Sequence, residues 1–435
     1  MMSVAGPCRL PACRRLGIAG AQHVSGRTDE PLTAHASRSW DRAGIETALR
    51  LHSAFLKGEP GGQRAVFRGG ALAGEDFSGS DLRDADFCDC DLVAARFDGA
   101  DCRGARFQGA VMHGASLVGA RLDGADLRGC DLTGARLIAA RCAGADFRER
   151  PLPGQDGKPA TVQASTLDGA DFSGASLSGA RLGGVSARET RFEDANLSGA
   201  GLCRADLDGA RFALALVAGT DFSSASLKAA DLRGCDMEGA RLDMAVTRDM
   251  QTGTHPDRPI PEPAGVLTAR EAEARLTGHI QQVRGSASGQ PVDFTGLDLR
   301  PAGSLAGRAL TALRAPRACL AGLDLSGCEL QGARLAGADL RGCKLAGADL
   351  RGADLSGAWL THADLTGARL TPLTLGGGRV LPVQLDKAQC RYSDWRDANL
   401  EQARLAGTDL AYARMTGARL SPDALAGALG IDRLL

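Results

Sequence analysis

The chain is short of aromatic residues, of net charge and of long apolar runs. Aromatic side chains make up only 4% of its 435 residues, with two tyrosines and three tryptophans. That leaves too few large groups to fill an ordinary globular core of this size. Lys and Arg number 51 and Asp and Glu 52, a net charge of −1. A global basic field that would hold nucleic acid or an anionic membrane is therefore excluded. No run approaches the length of a membrane-spanning helix. The N-terminal MMSVAGPCRLPACRRLG has arginines but no apolar core, so it does not read as a secretory signal. Thirteen cysteines, an odd number spread along the chain, argue against an oxidised framework and for reduced thiols in a cytoplasmic protein.

What is abundant is glycine, 58 residues, within a chain that is 44% apolar and 24% charged. Small residues must be buried at regular spacing, which points to a repeat. From about residue 65 the sequence repeats every five residues, most clearly in ADLRGCDLTGARL (125–137). Large apolar centres recur at Phe67, Leu72, Phe77, Leu82, Phe87, Leu92 and Phe97 and continue to Phe147. Two residues before most centres stands a small one, such as Ala85, Cys90, Ala95 or Ala100. Period five fits neither a helix nor a flat strand. It fits a short side with one large and one small inward residue, then a glycine corner. The phenylalanines give the number of sides. They fall at 67, 77, 87, 97 and 107, then at 172, 192 and 212. Residues twenty apart would stack on successive coils of four sides, whereas a three-sided coil would place Phe67 under Leu82.

The unit A-(D/N)-L-x-x, in phase over most of residues 65–247 and 303–420, resembles the pentapeptide-repeat family. The resemblance implies a fold class: an all-β solenoid, a right-handed quadrilateral β-helix, here in two modules, each with an N-terminal capping α-helix. Residues 1–40 read as a flexible leader and 41–60 as a capping helix. The first β-helix spans 61–247, with a proline-rich loop at 149–164. A linker with four prolines covers 248–267. A second capping helix spans 268–284 and opens on the capping box Thr268/Glu271. The second β-helix spans 291–420 with a loop at 371–385, and its phase slips by one between Leu299 and Leu305. Residues 421–435 form a helical C-terminal cap with Ser421 as N-cap and Pro422 at the first position.

No histidines, cysteines or acids are spaced as a ligand set or a catalytic constellation, so neither an enzyme nor a cofactor is expected. Cys90, Cys130, Cys235, Cys328 and Cys343 occupy the small inward slot and read as packing residues. Outward residues such as Asp86 are expected to carry little stability. Two outward features stand out. Between Glu75 and Asp101 nine acids, among them Asp81 and Asp101, face only Arg83 and Arg96, which reads either as a solvated face or as a patch for a basic partner. Trp359, Tyr392 and Tyr412 are aromatics at outward positions and read as protein-contact residues. Trp395 stands at a centre and reads as core.

These features imply a non-enzymatic scaffold for protein–protein interaction with an unknown partner and no direct contact with nucleic acid. End-to-end homodimerisation stays open. The helix-then-repeat layout also resembles pentapeptide-repeat proteins associated with bacterial type VI secretion, which would make the chain an accessory or effector-loading component; the expected location is cytoplasmic, with export by a route without a signal peptide left open. The alternative is a DNA mimic acting on a type II topoisomerase, as some family members are. Against it stand the net charge of −1, the non-acidic 320–370 region and the linker that splits the rod. Only the acidic 75–101 stretch favours it.

Overall fold

The computed structural model describes residues 38–152, 154, 160–258, 260, 263–285 and 292–435. Its short regular elements are strand β1 (Arg38–Ser39), helix α1 (Arg42–Leu56), β2 (Gly70–Ala71), β3 (Arg150–Leu152), β4 (Thr161–Gln163), β5 (Gly265–Val266), helix α2 (Ala269–Val283), β6 (Leu297–Asp298), β7 (Leu373–Thr374), β8 (Val380–Leu381) and helix α3 (Pro422–Ala426). Nearly everything else is a succession of turns joined by single parallel bridges.

The bridges count the sides. Val66, Ala71, Asp76 and Asp81 pair with Asp86, Asp91, Arg96 and Asp101, so four sides close one coil and each residue meets the residue twenty later. Within a side the backbone is almost fully satisfied. The Phe67 N–H donates to Asp86 O one coil on (2.7 Å), Gly69 N–H to Cys88 O (2.9 Å), and Gly70 N–H closes the corner on Phe67 O (2.8 Å). The third residue of that corner turn needs positive φ, which favours glycine: Gly69 sits at φ 65° and Gly104 at 67°. Asp is frequent before the centre because its carboxylate accepts the N–H two residues on, as Asp76 does from Ser78 (2.9 Å).

The centres and small residues are buried in most coils and form two hydrophobic clusters, one over residues 45–232 and one over 267–428, while Cys235, Met237 and Leu242 in the last coil of the first stack and Met415 and Leu420 in the second are only partly buried. Phenylalanines twenty apart stack, with Phe67–Phe87 ring centroids 4.9 Å apart and Phe87–Phe107 5.2 Å. Polar residues in the small slot donate to a carbonyl of the coil below. Examples are Thr190 to Leu167 O (2.7 Å), Cys130 to Phe107 O (2.8 Å) and Cys343 to Leu320 O (2.9 Å). Trp395 is fully buried and its indole N–H donates to Ser393 Oγ (2.6 Å).

Both starts share one plan. β1 pairs parallel with β2 and β5 with β6, each pair flanking a helix. Arg38 and Gly265, Arg42 and Ala269, His52 and His279, and Gly70 and Leu297 are each 227 residues apart. Ile45 of α1 joins the first cluster, and Ala272 and Leu276 of α2 join the second. Asp41 caps α1 by accepting from Gly44 N–H, and the Thr268/Glu271 capping box is formed at α2. The boundaries differ from the sequence reading in three places. Residues 38 and 39, assigned to the leader, form a strand, while 1–37 lie outside the described residues. The first stack continues to Gln251, which bridges Asp231, and Gly265–Val266 of the linker is a strand. The one-residue slip is taken up by a 3₁₀ turn at Arg300–Ala302.

Both loops are antiparallel hairpins that leave the ladder intact. β3 pairs with β4, and Asp131 then bridges Thr166; β7 pairs with β8, and Asp354 then bridges Gln384. Part of the first hairpin's tip lies outside the described residues.

Candidate functional site

The acidic stretch is not a free acidic surface. Asp81 is forked by Arg83 (2.8 and 2.7 Å), and Asp101 by Arg103 (2.8 and 2.7 Å) with Arg121 at 3.2 Å. The cause is local: the residues before and after a centre flank it on the same side, so Asp-x-Arg closes a bidentate pair. The same triplet forms pairs at 126–128, 146–148, 231–233, 349–351 and 394–396. The Arg83 hydrogen bond holds the Asp81 carboxyl below its usual value. Burial would raise that of Asp101, but its arginines outweigh burial and pull it down. Asp76 meets Arg96 (3.2 Å), and Asp89 meets Arg150 of β3 (2.5 Å).

Asp86 departs most from the sequence reading. Its residue is only 3% exposed, and it accepts from Cys88 N–H (3.0 Å) beside Arg68 (3.3 Å), Arg106 (3.6 Å) and Arg64 (3.9 Å). It is a buried ionic hub rather than a solvated outward residue. Its partners lie about one coil away in sequence, so counting charge within 75–101 misses them.

The three aromatics also lie elsewhere than on an open surface. Trp359 is 9% exposed, with the Arg258 guanidinium 5.4 Å from its ring centre. Tyr392 and Tyr412 stack at 5.4 Å, 6° from parallel, as their spacing of twenty requires, and His362 stacks on Tyr392 at 5.6 Å. Beneath Tyr392 is Gly174 of the first stack, where a Cβ would stand 2.1 Å from the tyrosine ring. These residues therefore join the two stacks of this chain.

Residues that the sequence reading did not single out complete the junction. Asp194 receives Arg258 (2.8 and 3.0 Å) and Arg391 (3.4 Å), and its backbone oxygen accepts from His362 Nε2 (2.6 Å). Arg341 is buried, forked on Asp339 (2.9 and 2.9 Å), and donates to Leu214 O (3.3 Å) and Gly234 O (3.2 Å). Arg300, in the 3₁₀ turn, reaches Asp236 (2.7 Å) and Glu238 (2.8 Å). The corners do not mark the junction in the sequence: Asp194, Leu214, His362, Tyr392 and Tyr412 hold positive φ where glycine is usual, but so do Asp84, Ala94 and Ser224 elsewhere. Such strain persists where surrounding contacts enforce it.

The described residues hold no cluster of His, Cys, Asp and Glu arranged for a metal ion. The eleven described cysteines are free. Burial pushes the Cys88 thiol up to about 11 and that of Cys90 to about 12, far from the thiolate needed for nucleophilic chemistry. No helix among the described residues is long and apolar enough to cross a membrane.

Comparison with known proteins places these features in one group. The family profile "Pentapeptide repeats" matches residues 63–149, 165–243, 318–371 and 384–421, more than half of the chain. No curated protein sequence matches. Similar solved structures include HetL, a pentapeptide repeat protein involved in heterocyst differentiation regulation from the cyanobacterium Nostoc sp. strain PCC 7120. It is 25% identical over 46% of this chain and 93% of its own, with a TM-score of 0.23. Rfr23 from the cyanobacterium Cyanothece 51142 is 24% identical over 30% of this chain and 91% of its own, TM-score 0.24. QnrB1, a plasmid-mediated fluoroquinolone resistance protein, is 20% identical over 44% of this chain and 92% of its own, TM-score 0.29. Pentapeptide repeat proteins fold as right-handed quadrilateral β-helices and are generally structural or interaction proteins. With its five-residue sides, four-sided coils and profile match, the chain belongs to the pentapeptide-repeat family.

Proposed function

We propose that the protein is a non-enzymatic scaffold that binds another protein through its two hairpins. Each stack is a module, and α1, α2 and α3 cover coil ends that would otherwise expose apolar centres and strand edges. The observation that carries the reading is the uninterrupted ladder on either side of each hairpin. The coils close without residues 150–164 or 372–381, so the fold does not require those segments. They nevertheless carry exposed apolar side chains, Val162 (58% exposed) on the first and Val380 and Leu375 on the second. Apolar groups on a short, backbone-paired hairpin bind with little ordering cost. A role as an accessory of a secretion system fits this reading and adds a test in the organism of origin.

The experiment deletes 150–164 or 372–381, which keeps the five-residue phase. Partners captured by the intact chain in its native host are then titrated against each deletion. Loss of binding in either deletion, with unchanged melting, supports the reading; undiminished binding by both deletions refutes it. A supercoiling assay with a type II topoisomerase covers the DNA-mimic alternative. The paired state of Asp81 and Asp101 leads us to expect no inhibition there.

A further inference from the structure

Beside the Tyr392–Tyr412 pair a cleft of about 390 Å³ opens between the stacks. Four cations, Arg141, Lys344, Arg396 and Arg414, line it against the side-chain carboxylates of Asp364 and Asp394 and the terminal carboxylate-bearing residue Leu435. The carboxylates do not balance the cations. Asp394 is forked by Arg396 through Nε (2.8 Å) and Nη2 (2.7 Å), and Asp364 accepts from Thr366 N–H (3.0 Å) and its hydroxyl (2.6 Å). Arg414 is left with Asp394 at 3.9 Å, beyond hydrogen-bonding distance. Its side chain is 23% exposed, and its Nη1 is buried without a hydrogen-bond partner among the described residues.

The first stack adds like charge. Arg121 and Arg141 are bridged neighbours on successive coils, an arrangement that repels. Each has one nearby acid, Asp101 for Arg121 (3.2 Å) and Asp123 for Arg141 (3.4 Å), and Asp101 is already forked by Arg103. Burial, with Arg141, Arg396 and Arg121 close by, pulls the Arg414 guanidinium below the usual arginine value. A partly buried cation without a matched acid is costly, and a doubly charged oxyanion is the group that removes the cost. Guanidinium forks match tetrahedral phosphate oxygens.

We infer that this cleft binds a phosphate group, held from one stack by Arg141 and from the other by Arg414. The volume leaves room for substituents, so the group is either free phosphate or the end of a small phosphomonoester. Ser176, on the same column as Arg141, also lines the cleft and offers a hydroxyl.

The test uses the full chain in chloride buffer at constant ionic strength, with inorganic phosphate and glycerol 3-phosphate as probes. Calorimetry should show saturable binding. Arg414→Gln and Arg141→Gln should each weaken it by about tenfold or more, a change equivalent to about 1.4 kcal/mol. Arg181→Gln, an exposed arginine of the first stack outside the cleft, should bind as wild type does. Tighter binding of glycerol 3-phosphate identifies a phosphomonoester site, and equal or weaker binding a free-phosphate site. Melting gives a second readout. Without phosphate, Arg414→Gln should melt no lower than wild type, because it removes a cation from a positive field. With phosphate only the wild type and Arg181→Gln should gain, following the logarithm of ligand concentration. Equal gains in all variants would mean general salt exclusion and overturn the inference, as would the absence of saturable heat.

Discussion

The two stacks use one backbone with different fillings. In the first, phenylalanines form ladders at 67–87–107, 77–97 and 172–192–212. In the second, apart from Phe294 and Trp395, the large centres are mostly leucine. Yet bridge partners stay twenty apart in the regular coils of both. The stacked rings lie 4.9–5.4 Å apart, close to the strand separation of about 4.8 Å, so a ring fills a centre without changing the coil. The difference teaches that the small slot and the positive-φ corner set the coil, while the centre only has to fill it. Stability in the first stack is concentrated in a few large side chains; in the second it is spread over many.

The largest expected effect tests that contrast. Phe87 touches four rings, Phe67, Phe77, Phe97 and Phe107, at 4.9–5.5 Å. Phe87→Ala should cost about 3–5 kcal/mol in denaturant titration. Leu345→Ala, fully buried in the leucine stack, should cost about 2–5 kcal/mol and less than Phe87→Ala. Equal losses would mean the rings contribute no more than their volume.

Next comes a pair of glycines with the same backbone and different surroundings. A Cβ added at Gly114 (φ 64°) would have nothing within 4 Å, whereas one added at Gly174 (φ 63°) would collide with Tyr392. Gly114→Ala should cost about 1–2 kcal/mol, the penalty for a left-handed non-glycine residue. Gly174→Ala should cost more and separate the stacks, raising the radius of gyration in solution scattering. An unchanged radius would show that Tyr392 can leave Gly174 without undocking.

The interior was legible because stacking writes it into the sequence at fixed period. Five-residue phase gave the corners, the ten- and twenty-residue phenylalanine spacing gave four sides, and Thr268 with Glu271 marked α2. The outside was not, because an outward residue looks the same whether it faces water, the next coil or a second stack. Trp359 and Tyr392 stood out by scarcity, but nothing in their neighbourhood points to Arg258 or Gly174. Asp86 resembles Asp91 in sequence, and only the residues one coil away set them apart.

Asp86 and Asp91 make a smaller test of that point. Asp86→Ala removes a carboxylate that is hydrogen-bonded and surrounded by arginines, and should cost about 1.5–3 kcal/mol. Asp91 is exposed and its carboxylate accepts from Val93 N–H (3.2 Å), so Asp91→Ala should stay within about 0.5 kcal/mol. Burial would raise the Asp86 carboxyl, but the Cys88 N–H and Arg68 hold it below the ordinary value. The Asp86 contribution is therefore present above the usual carboxylate range and lost as pH falls through the lowered value. Acid titrations of wild type and Asp86→Ala should converge there.

The smallest effect compares the two starts. His52 and His279 occupy the same place in α1 and α2, and burial lowers both below 6.5. A buried base held neutral stabilises above its unfolded pKa, and that contribution declines as pH falls towards the folded value. Each pH unit between the two values is worth at most about 1.4 kcal/mol per histidine. The neighbours differ. Asp81, a hydrogen bond to the Arg83 backbone and Asp84 pull His52 back up, opposed by the Arg83 charge, whereas for His279 burial is countered by its hydrogen bond to Thr311 O (3.2 Å), with no charged neighbour shifting it among the described residues. Salt should therefore discriminate. Raising ionic strength screens Asp81 and Asp84 and should lower the His52 value further, while His279 stays put. Following the imidazole resonances by NMR from pH 7 to 5 at low and high salt reads both at once. A salt shift at His279 equal to that at His52 would mean the acids of the first coil are not what sets the two starts apart.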